Sequence, residues 1–316
     1  MLRILLADPL AYDAAFDAVL AELAPHVETY RWPDGPADGR YDVLAAWRLP
    51  DGFGVVSDSV KLVFCFGAGA DHLLADPRLP AHPPVVRLLD AGQAAQLVDY
   101  AHHVAFARLQ NDQKYLDDQR RHLWDPAPSL KRTRATTRVA VLGLGPIGTD
   151  VATALAATGF AVRAWSRRPR RLEGIDTSAG AEGLPDCVRS ADVLVNLLPL
   201  HPQTADLLGE PLFSLLADGA YVANLGRGGH LDELALRGAL DSGRIGCAWI
   251  DAFGEEPLPS SHWLWTHDRV RLTPHVGGLP TPAGSARSLA AAIAAYRAGA
   301  PLPGLVRAAA ATRDTA

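Results

Sequence analysis

Three ionisable residues stand out by where they fall in the chain: Arg227, Glu256 and His275. Each follows a short apolar run. Arg227 comes after 220–225 (AYVANL), Glu256 after 245–250 (IGCAWI), and His275 after 270–272 (VRL). Together a cation, a carboxylate and an imidazole suit one kind of chemistry. A hydride arriving at a carbonyl carbon leaves negative charge on the oxygen. A protonated imidazole neutralises that charge by giving up its proton, and a nearby carboxylate stabilises the imidazolium. A guanidinium grips a substrate carboxylate through paired hydrogen bonds and polarises the carbonyl. Hydride transfer between a nicotinamide and a 2-oxo acid needs that set. Singly, each residue has a plainer reading: an Arg or Glu after a strand is usually solvated, and a His in a Pro-His turn is usually structural. As an ordered set they point to catalysis if a nucleotide fold positions them.

Such a fold is written at 139–148, VAVLGLGPIG. Four apolar residues run straight into Gly143, Leu144, Gly145, Pro146, Ile147 and Gly148, the G-x-G-x-x-G spacing. A helical run (DVATALAATG) closed by Gly159 follows, then a second apolar strand over 160–165. Strand, glycine turn, helix and strand make the dinucleotide-binding βαβ unit. Gly143 allows the tight turn, Gly145 lets a pyrophosphate approach the backbone, and Gly148 lets the helix pack closely. The helix N-terminus offers unpaired N–H groups and partial positive charge to the phosphates. A lone glycine motif is weak, and the flanking elements are what identify it.

The end of the second strand selects the dinucleotide. NAD-binding units usually place an acid there for the ribose 2′-hydroxyl. Here the chain reads Trp165-Ser166-Arg167-Arg168-Pro169-Arg170-Arg171, with Ser166 about where the acid belongs. A hydroxyl with neighbouring guanidinium groups suits a 2′-phosphate, which a carboxylate would repel. NADP(H) is therefore the expected cofactor, with NAD(H) the alternative; a solvated basic turn is the plain reading of the same residues.

The remaining elements extend one pattern. Strands are expected at 2–7, 41–46, 62–66, 192–198, 220–225, 245–250 and 270–272. Helices are expected at 13–23, 93–122 and 283–298. Alternating strands and helices imply parallel α/β sheets, whose ligands gather at the carboxyl ends of the strands. That edge offers further cofactor-binding candidates: Leu198, Pro199 and Thr204, then Leu225 and Gly226, then Asp251, and finally Gly277. The turn Gly67, Ala68, Gly69, Ala70 offers backbone N–H groups to a small anion such as a carboxylate, or is simply structural. The long helix and the Pro- and Arg-rich stretch 124–137 suit a linker and an exposed arm reaching a partner subunit. The Gly/Pro-rich stretch 277–281 reads as a second hinge. The helix after it is expected to pack back on the first domain without a strand of its own, and the last dozen residues to be mobile. Two domains follow: 1–92 with 279–316 for substrate, and 93–278 for the cofactor.

Composition narrows the class. The 316 residues are 48% hydrophobic and 21% charged, with a net charge of −5. That charge gives no reason to expect nucleic acid or an anionic membrane as partner. Asp8 and Pro9 cut the N-terminal apolar run short of a signal peptide, and no apolar stretch is long enough to span a bilayer. Cys65, Cys187 and Cys247 are odd in number and far apart, so buried free thiols in a reducing, cytoplasmic setting are expected, with no metal site.

The ordered motifs resemble the D-isomer-specific 2-hydroxyacid dehydrogenase family. They are the glycine turn, Asn224-Leu225-Gly226-Arg227-Gly228, Asp251-Ala252-Phe253-Gly254-Glu255-Glu256-Pro257-Leu258, and Thr273-Pro274-His275-Val276-Gly277-Gly278. The resemblance implies that Arg227 binds substrate, Glu256 orients the histidine, and His275 is the acid/base, with Glu255 a solvated neighbour. Residues 61–71 (KLVFCFGAGAD), Trp47 and Leu123-Trp124 are similar to the glyoxylate/hydroxypyruvate reductase A-type branch. That branch implies NADPH, a pocket closed by Trp47 around a small 2-oxo acid, flavodoxin-like and Rossmann-like domains around a cleft, and a homodimer. Gly226, Trp249 and Asp99 depart from the commoner residues, and Trp249 is expected to alter packing under Asp251. Two alternatives stay open: an NAD-linked dehydrogenase of a larger 2-hydroxy acid, and a dinucleotide-sensing binding protein of the same fold.

Overall fold

The computed structural model describes residues 1–7, 13–89, 91–126 and 132–309. It divides into two compact units, Met1–Gly92 with Pro280–Ala316, and Gln93–Leu279. Among the described residues no helix is long and apolar enough to cross a membrane.

In the first unit the strands are β1 (Leu2–Leu6), β2 (Val27–Arg31), β3 (Val43–Ala46), β4 (Leu62–Cys65) and β5 (Val85–Arg87). Two helices lie among them, α1 (Ala14–Leu23) and α2 (Asp71–Leu74). β3 and β4 are buried along their whole length, as strands covered on both faces must be. α1 starts where the Asp13 carboxylate accepts from the N–H groups of Ala15 and Phe16, at 2.9 and 3.1 Å. β2 is a partly exposed edge strand, and its mixed sequence VETYR carries no apolar run to announce it.

The second unit opens with α3 (Gln93–Gln110) and α4 (Asp112–Arg120). The expected single helix over 93–122 is therefore two. Asn111 breaks it with a left-handed φ of 52°. Asn is among the few residues that tolerate that conformation, and its Oδ1 is held by Arg108 Nη1 at 3.0 Å and Arg132 Nη1 at 3.1 Å. Then come β6 (Arg138–Leu142), α5 (Pro146–Ala157), β7 (Ala161–Ser166), β8 (Asp176–Ala179), α6 (Gly180–Val188), β9 (Val193–Asn196), α7 (Glu210–Phe213), β10 (Ala220–Asn224), α8 (Glu233–Asp241), β11 (Ile245–Ile250) and β12 (Val270–Leu272). Residues 127–131 of the expected arm, and 310–316 of the expected mobile tail, lie outside the described residues.

The seven strands of this unit run parallel in the order β12-β11-β10-β9-β6-β7-β8. The chain reverses its direction of travel across the sheet between β6 and β9, the crevice where such sheets bind nucleotides. Alternate residues feed two cores. Val139, Val141, Val193 and Val195 face α3 and α5, while Leu142, Leu194 and Val222 face α6 and α8.

The chain returns to the first unit as α9 (Pro282–Arg297), capped by Thr281, and β13 (Leu305–Arg307). α9 packs on α1, with Leu289 and Ile293 in the same core as Phe16 and Leu20. β13 pairs antiparallel with β5, so the C-terminal segment does contribute a strand, and it falls within the last dozen residues. It is short, partly exposed and held as an edge, which is why no apolar run marks it. The sheet order is β13-β5-β4-β3-β1-β2. Without β13 this is the flavodoxin-like arrangement.

The glycine turn sets the spacing of β6 and α5. Gly143 has φ +105°, and a methyl group on Gly148 would overlap the Gly143 carbonyl. Gly148→Ala should therefore force the turn open and lower stability by about 1–3 kcal/mol, read from urea unfolding. Wild-type stability in that variant would refute the packing role.

Candidate active site

Parallel strands bring their carboxyl ends to one edge of the second unit's sheet. Gly143 follows β6, Ser166 ends β7, and Leu198 and Pro199 follow β9. Leu225 follows β10, Asp251 follows β11, and Thr273 follows β12. His275 and Glu256 meet there although they are 19 residues apart: His275 Nδ1 lies 3.0 and 2.9 Å from Glu256 Oε1 and Oε2. Glu256 Oε1 also accepts the Phe253 N–H at 2.9 Å. Burial alone would raise this carboxyl. The His275 hydrogen bond, the Phe253 N–H and the charge of Arg227 outweigh it and hold Glu256 below the usual carboxylate range.

Arg227 comes close because Gly228 has no side chain. A methyl there would overlap the Phe253–Gly254 peptide, so the 226–229 turn lies directly on the loop that carries Glu256. The half-buried Arg227 side chain donates from Nη1 to the Gly226 carbonyl at 2.8 Å. Glu255 is exposed, one residue away from the ion pair.

His275 stands in a left-handed backbone conformation, φ 56°, which costs a non-glycine residue about 1–3 kcal/mol and persists only where its surroundings impose it. Asp251 imposes it. Its carboxylate, 3% exposed, accepts Thr273 Oγ1 at 2.7 Å, the Val276 N–H at 2.9 Å and the Gly277 N–H at 3.0 Å. The Thr273 side chain before His275 and the backbone after it are thus tied to one group. The Thr273 hydroxyl has a single proton, and a carboxylate only accepts. Tyr100 on α3 must therefore be the donor in its 2.9 Å bond to Thr273 Oγ1. Burial pushes the Tyr100 phenol up, which keeps that proton in place. Trp249 packs edge-on to Tyr100 and His103, with ring centroids 6.2 and 4.8 Å apart, under the same loop.

The other cofactor-binding candidates divide by role. Gly145 caps α5 with no side-chain bond, and a methyl there would meet nothing within 4 Å. Pro146 occupies the first turn, Ile147 is partly buried, and Leu144 lies in the core with only its backbone to offer. The Ser166 hydroxyl donates to the Arg168 carbonyl at 2.7 Å, so its proton shapes the turn, while Arg167 and Arg168 are exposed. Thr204 Oγ1 donates within its own loop, to the carbonyls of Pro199 and His201. The carboxylate of Asp251 and the N–H of Gly277 are engaged with each other. An open helix N-terminus, a glycine that leaves room, and guanidinium groups where an acid is absent fit a phosphorylated dinucleotide.

The first unit holds the remaining candidates. The Trp47 ring lies against Gly67, whose added methyl would sit 3.0 Å from Trp47 Cδ1. Arg87 Nη1 donates to the Ala68 carbonyl at 2.7 Å, and Cys65 Sγ lies 3.6 Å from the Gly69 carbonyl. In a planar trans peptide the N–H opposes the C=O. Held carbonyls at Ala68 and Gly69 therefore turn the N–H groups of Gly69 and Ala70 the other way. Sequence reasoning did not single out Arg87 or Tyr100, and an Arg set within the apolar run 85–89 (VVRLL) was the available signal for the first. All three cysteines are buried and none is paired with another in a disulfide, and burial pushes the Cys187 and Cys247 thiols up to about 12.

The family model for D-isomer specific 2-hydroxyacid dehydrogenase, NAD binding domain, matches residues 102–277. A glyoxylate/hydroxypyruvate reductase A of Yersinia enterocolitica is 38% identical over 84% of this chain and 86% of its own. One from Serratia proteamaculans is 37% identical over 92% and 93%. Among solved structures, a D-isomer specific 2-hydroxyacid dehydrogenase of Xanthobacter autotrophicus in complex with NADPH has a TM-score of 0.87 at 33% identity, covering 96% of this chain and 98% of the other. The NADPH-dependent glyoxylate/hydroxypyruvate reductase of Sinorhizobium meliloti, with NADP and sulfate, also reaches 0.87, at 29% identity over 97% and 98%.

The Glu256 carboxyl titrates lower in the folded protein than in the unfolded chain, where it stands at about 4.3. Its contribution to stability is therefore present above that value and lost as pH falls through the folded pKa. The stability deficit of Glu256→Gln relative to wild type should be largest near neutral pH and shrink below about pH 4. Urea unfolding across pH 3–7 checks this, and a deficit that stays constant would contradict it.

Proposed function

The chain belongs to the D-isomer specific 2-hydroxyacid dehydrogenase family, and on that footing we propose that it reduces a small 2-oxo acid of the glyoxylate or hydroxypyruvate kind with NADPH. The observation that carries this reading is the His275–Glu256 pair with Arg227 on the adjoining turn. Bound nicotinamide supplies the hydride. His275 uses Nδ1 to bind Glu256, so Nε2 is the atom that passes a proton to the carbonyl oxygen. Glu256 stays ionised and stabilises the imidazolium. Arg227 grips the substrate carboxylate and draws charge from the carbonyl.

The glycine turn from Gly143 to Gly148 and the N-terminus of α5 hold the pyrophosphate in this reading, and Arg167 and Arg168 hold the 2′-phosphate, with Ser166 shaping their turn. Leu198, Pro199, Thr204, Leu225, Gly226, Asp251 and Gly277 line the rest of the cofactor's path. Trp47 and the N–H groups of the 67–70 turn recognise the small acid. We further read the protein as a cytoplasmic homodimer, in keeping with its buried thiols and with Trp124, 94% exposed at the start of the arm.

NADPH and NADH oxidation over glyoxylate, hydroxypyruvate, pyruvate and phenylpyruvate tests the proposal, with His275→Ala as the control. Fast NADPH turnover of the small acids is expected. The variant should lose about 10²–10⁴-fold in kcat while binding NADPH normally. No turnover alongside tight cofactor binding would favour a sensor. Turnover of phenylpyruvate with NADH would favour a dehydrogenase of larger acids.

Cofactor choice has its own test. Replacing both Arg167 and Arg168 with Ala should raise KM for NADPH roughly tenfold or more and leave KM for NADH within about twofold. Equal effects on both cofactors would remove the 2′-phosphate assignment.

A further inference from the structure

Beneath Arg227 lies a polar cluster that packing alone does not require. Asn196, Asn224 and His230, at the ends of β9 and β10 and in the turn after β10, are each 0% exposed. Their hydrogen bonds have one consistent solution. The Leu198 N–H can only donate, and it reaches Asn196 Oδ1 at 3.3 Å, which fixes which way that amide faces. Asn196 Nδ2 then points to Asn224 Oδ1 at 2.9 Å and to His230 Nδ1 at 3.0 Å. The Arg227 N–H also reaches His230 Nδ1, at 3.1 Å. Two donors aimed at one ring nitrogen require a lone pair there. The proton of the imidazole therefore sits on Nε2. Asn224 completes the frame by donating from Nδ2 to the Arg227 carbonyl at 3.0 Å.

Both backbone groups of Arg227 are thus taken by buried side chains. Gly226 makes room for them: a methyl there would stand 2.9 Å from Asn196 Nδ2 and 3.2 Å from His230 Cε1. A long guanidinium arm is aimed only as well as its backbone is fixed, and displacement by about 1 Å can cost on the order of 10²-fold in rate.

We propose that His230, held as the tautomer protonated on Nε2, is a positioning residue that fixes Arg227 for the substrate carboxylate. This rests on the reading of Arg227 given above. It adds a residue that touches neither substrate nor cofactor and acts through the Arg227 N–H.

Two substitutions and one spectroscopic measurement test it. His230→Leu keeps bulk and removes the acceptor; His230→Asn keeps an acceptor oxygen about where Nδ1 stands. His230→Leu should raise KM for the 2-oxo acid about tenfold or more, with the NADPH dissociation constant within about twofold of wild type. His230→Asn should recover most of that loss, which a merely space-filling role would not produce. Unchanged KM and kcat in His230→Leu, or an Asn variant no better than the Leu variant, would overturn the proposal. Nitrogen-15 NMR of the histidine-labelled wild-type protein needs no variant to fold: an unprotonated Nδ1 on His230 is expected, and a protonated one overturns the proposal. Wild-type protein that turns over no 2-oxo acid would refute the functional reading instead, and the tautomer would still decide the network.

Discussion

A single buried carboxylate carries the arrangement of the second unit's working edge. Asp251 ends β11 and binds the Thr273 hydroxyl and the backbone of Val276 and Gly277. A carboxylate withdrawn from water is costly unless several donors replace the lost hydration. Here the donors all come from the segment that flanks His275, so satisfying the charge and shaping the loop are one event. The left-handed backbone of His275 persists because of it, and the imidazole is thereby turned toward Glu256. Tyr100 extends the same network to α3, tying the helix that opens the unit to the loop near its end.

A second frame of the same kind lies under Arg227, and the two meet at Gly228. That glycine lets the turn bearing the guanidinium rest on the peptide that precedes Glu256. Glu256 then feels positive charge from two sides, from His275 and from Arg227. The site is therefore not three side chains that happen to be near one another. Each is aimed by buried backbone hydrogen bonds on rigid strand ends, and the charges balance only because the loops touch.

Much of this was legible in the residues. Continuous apolar runs such as VAVL and DVLVN mark strands buried on both faces, and the glycine spacing after the first is diagnostic in that context. Edge strands were not legible. VETYR and DTSA are half-exposed and polar, and β13 is three residues long. The break at Asn111 was hidden because one left-handed residue interrupts an otherwise helical pattern without Gly or Pro. Of the candidate site, the order of motifs singled out Arg227, Glu256 and His275, and the structure pairs the last two beside the turn that carries the first. The residues behind them were invisible. His230 reaches Asn196 across 34 positions and Tyr100 reaches Thr273 across 173, distances at which no local spacing rule speaks.

The way the chain leaves and rejoins the first unit bears on how the protein is made. Thr281 donates to the Ala91 carbonyl through both its backbone N–H, at 2.8 Å, and its hydroxyl. Within the second unit, Gln96 on α3 bonds the Leu279 backbone. Each unit thus has its own ends held side by side, and the second is an insertion in the first. On the ribosome, β1 to β5 emerge before the second unit but lack α9 and β13, which follow it. Loop closure grows more costly with the length of flexible chain between partners. Once Gln93–Leu279 has folded and brought its termini together, that long loop becomes a short one. The nucleotide-binding unit is thus the part able to fold first, and the flavodoxin-like unit is completed after it.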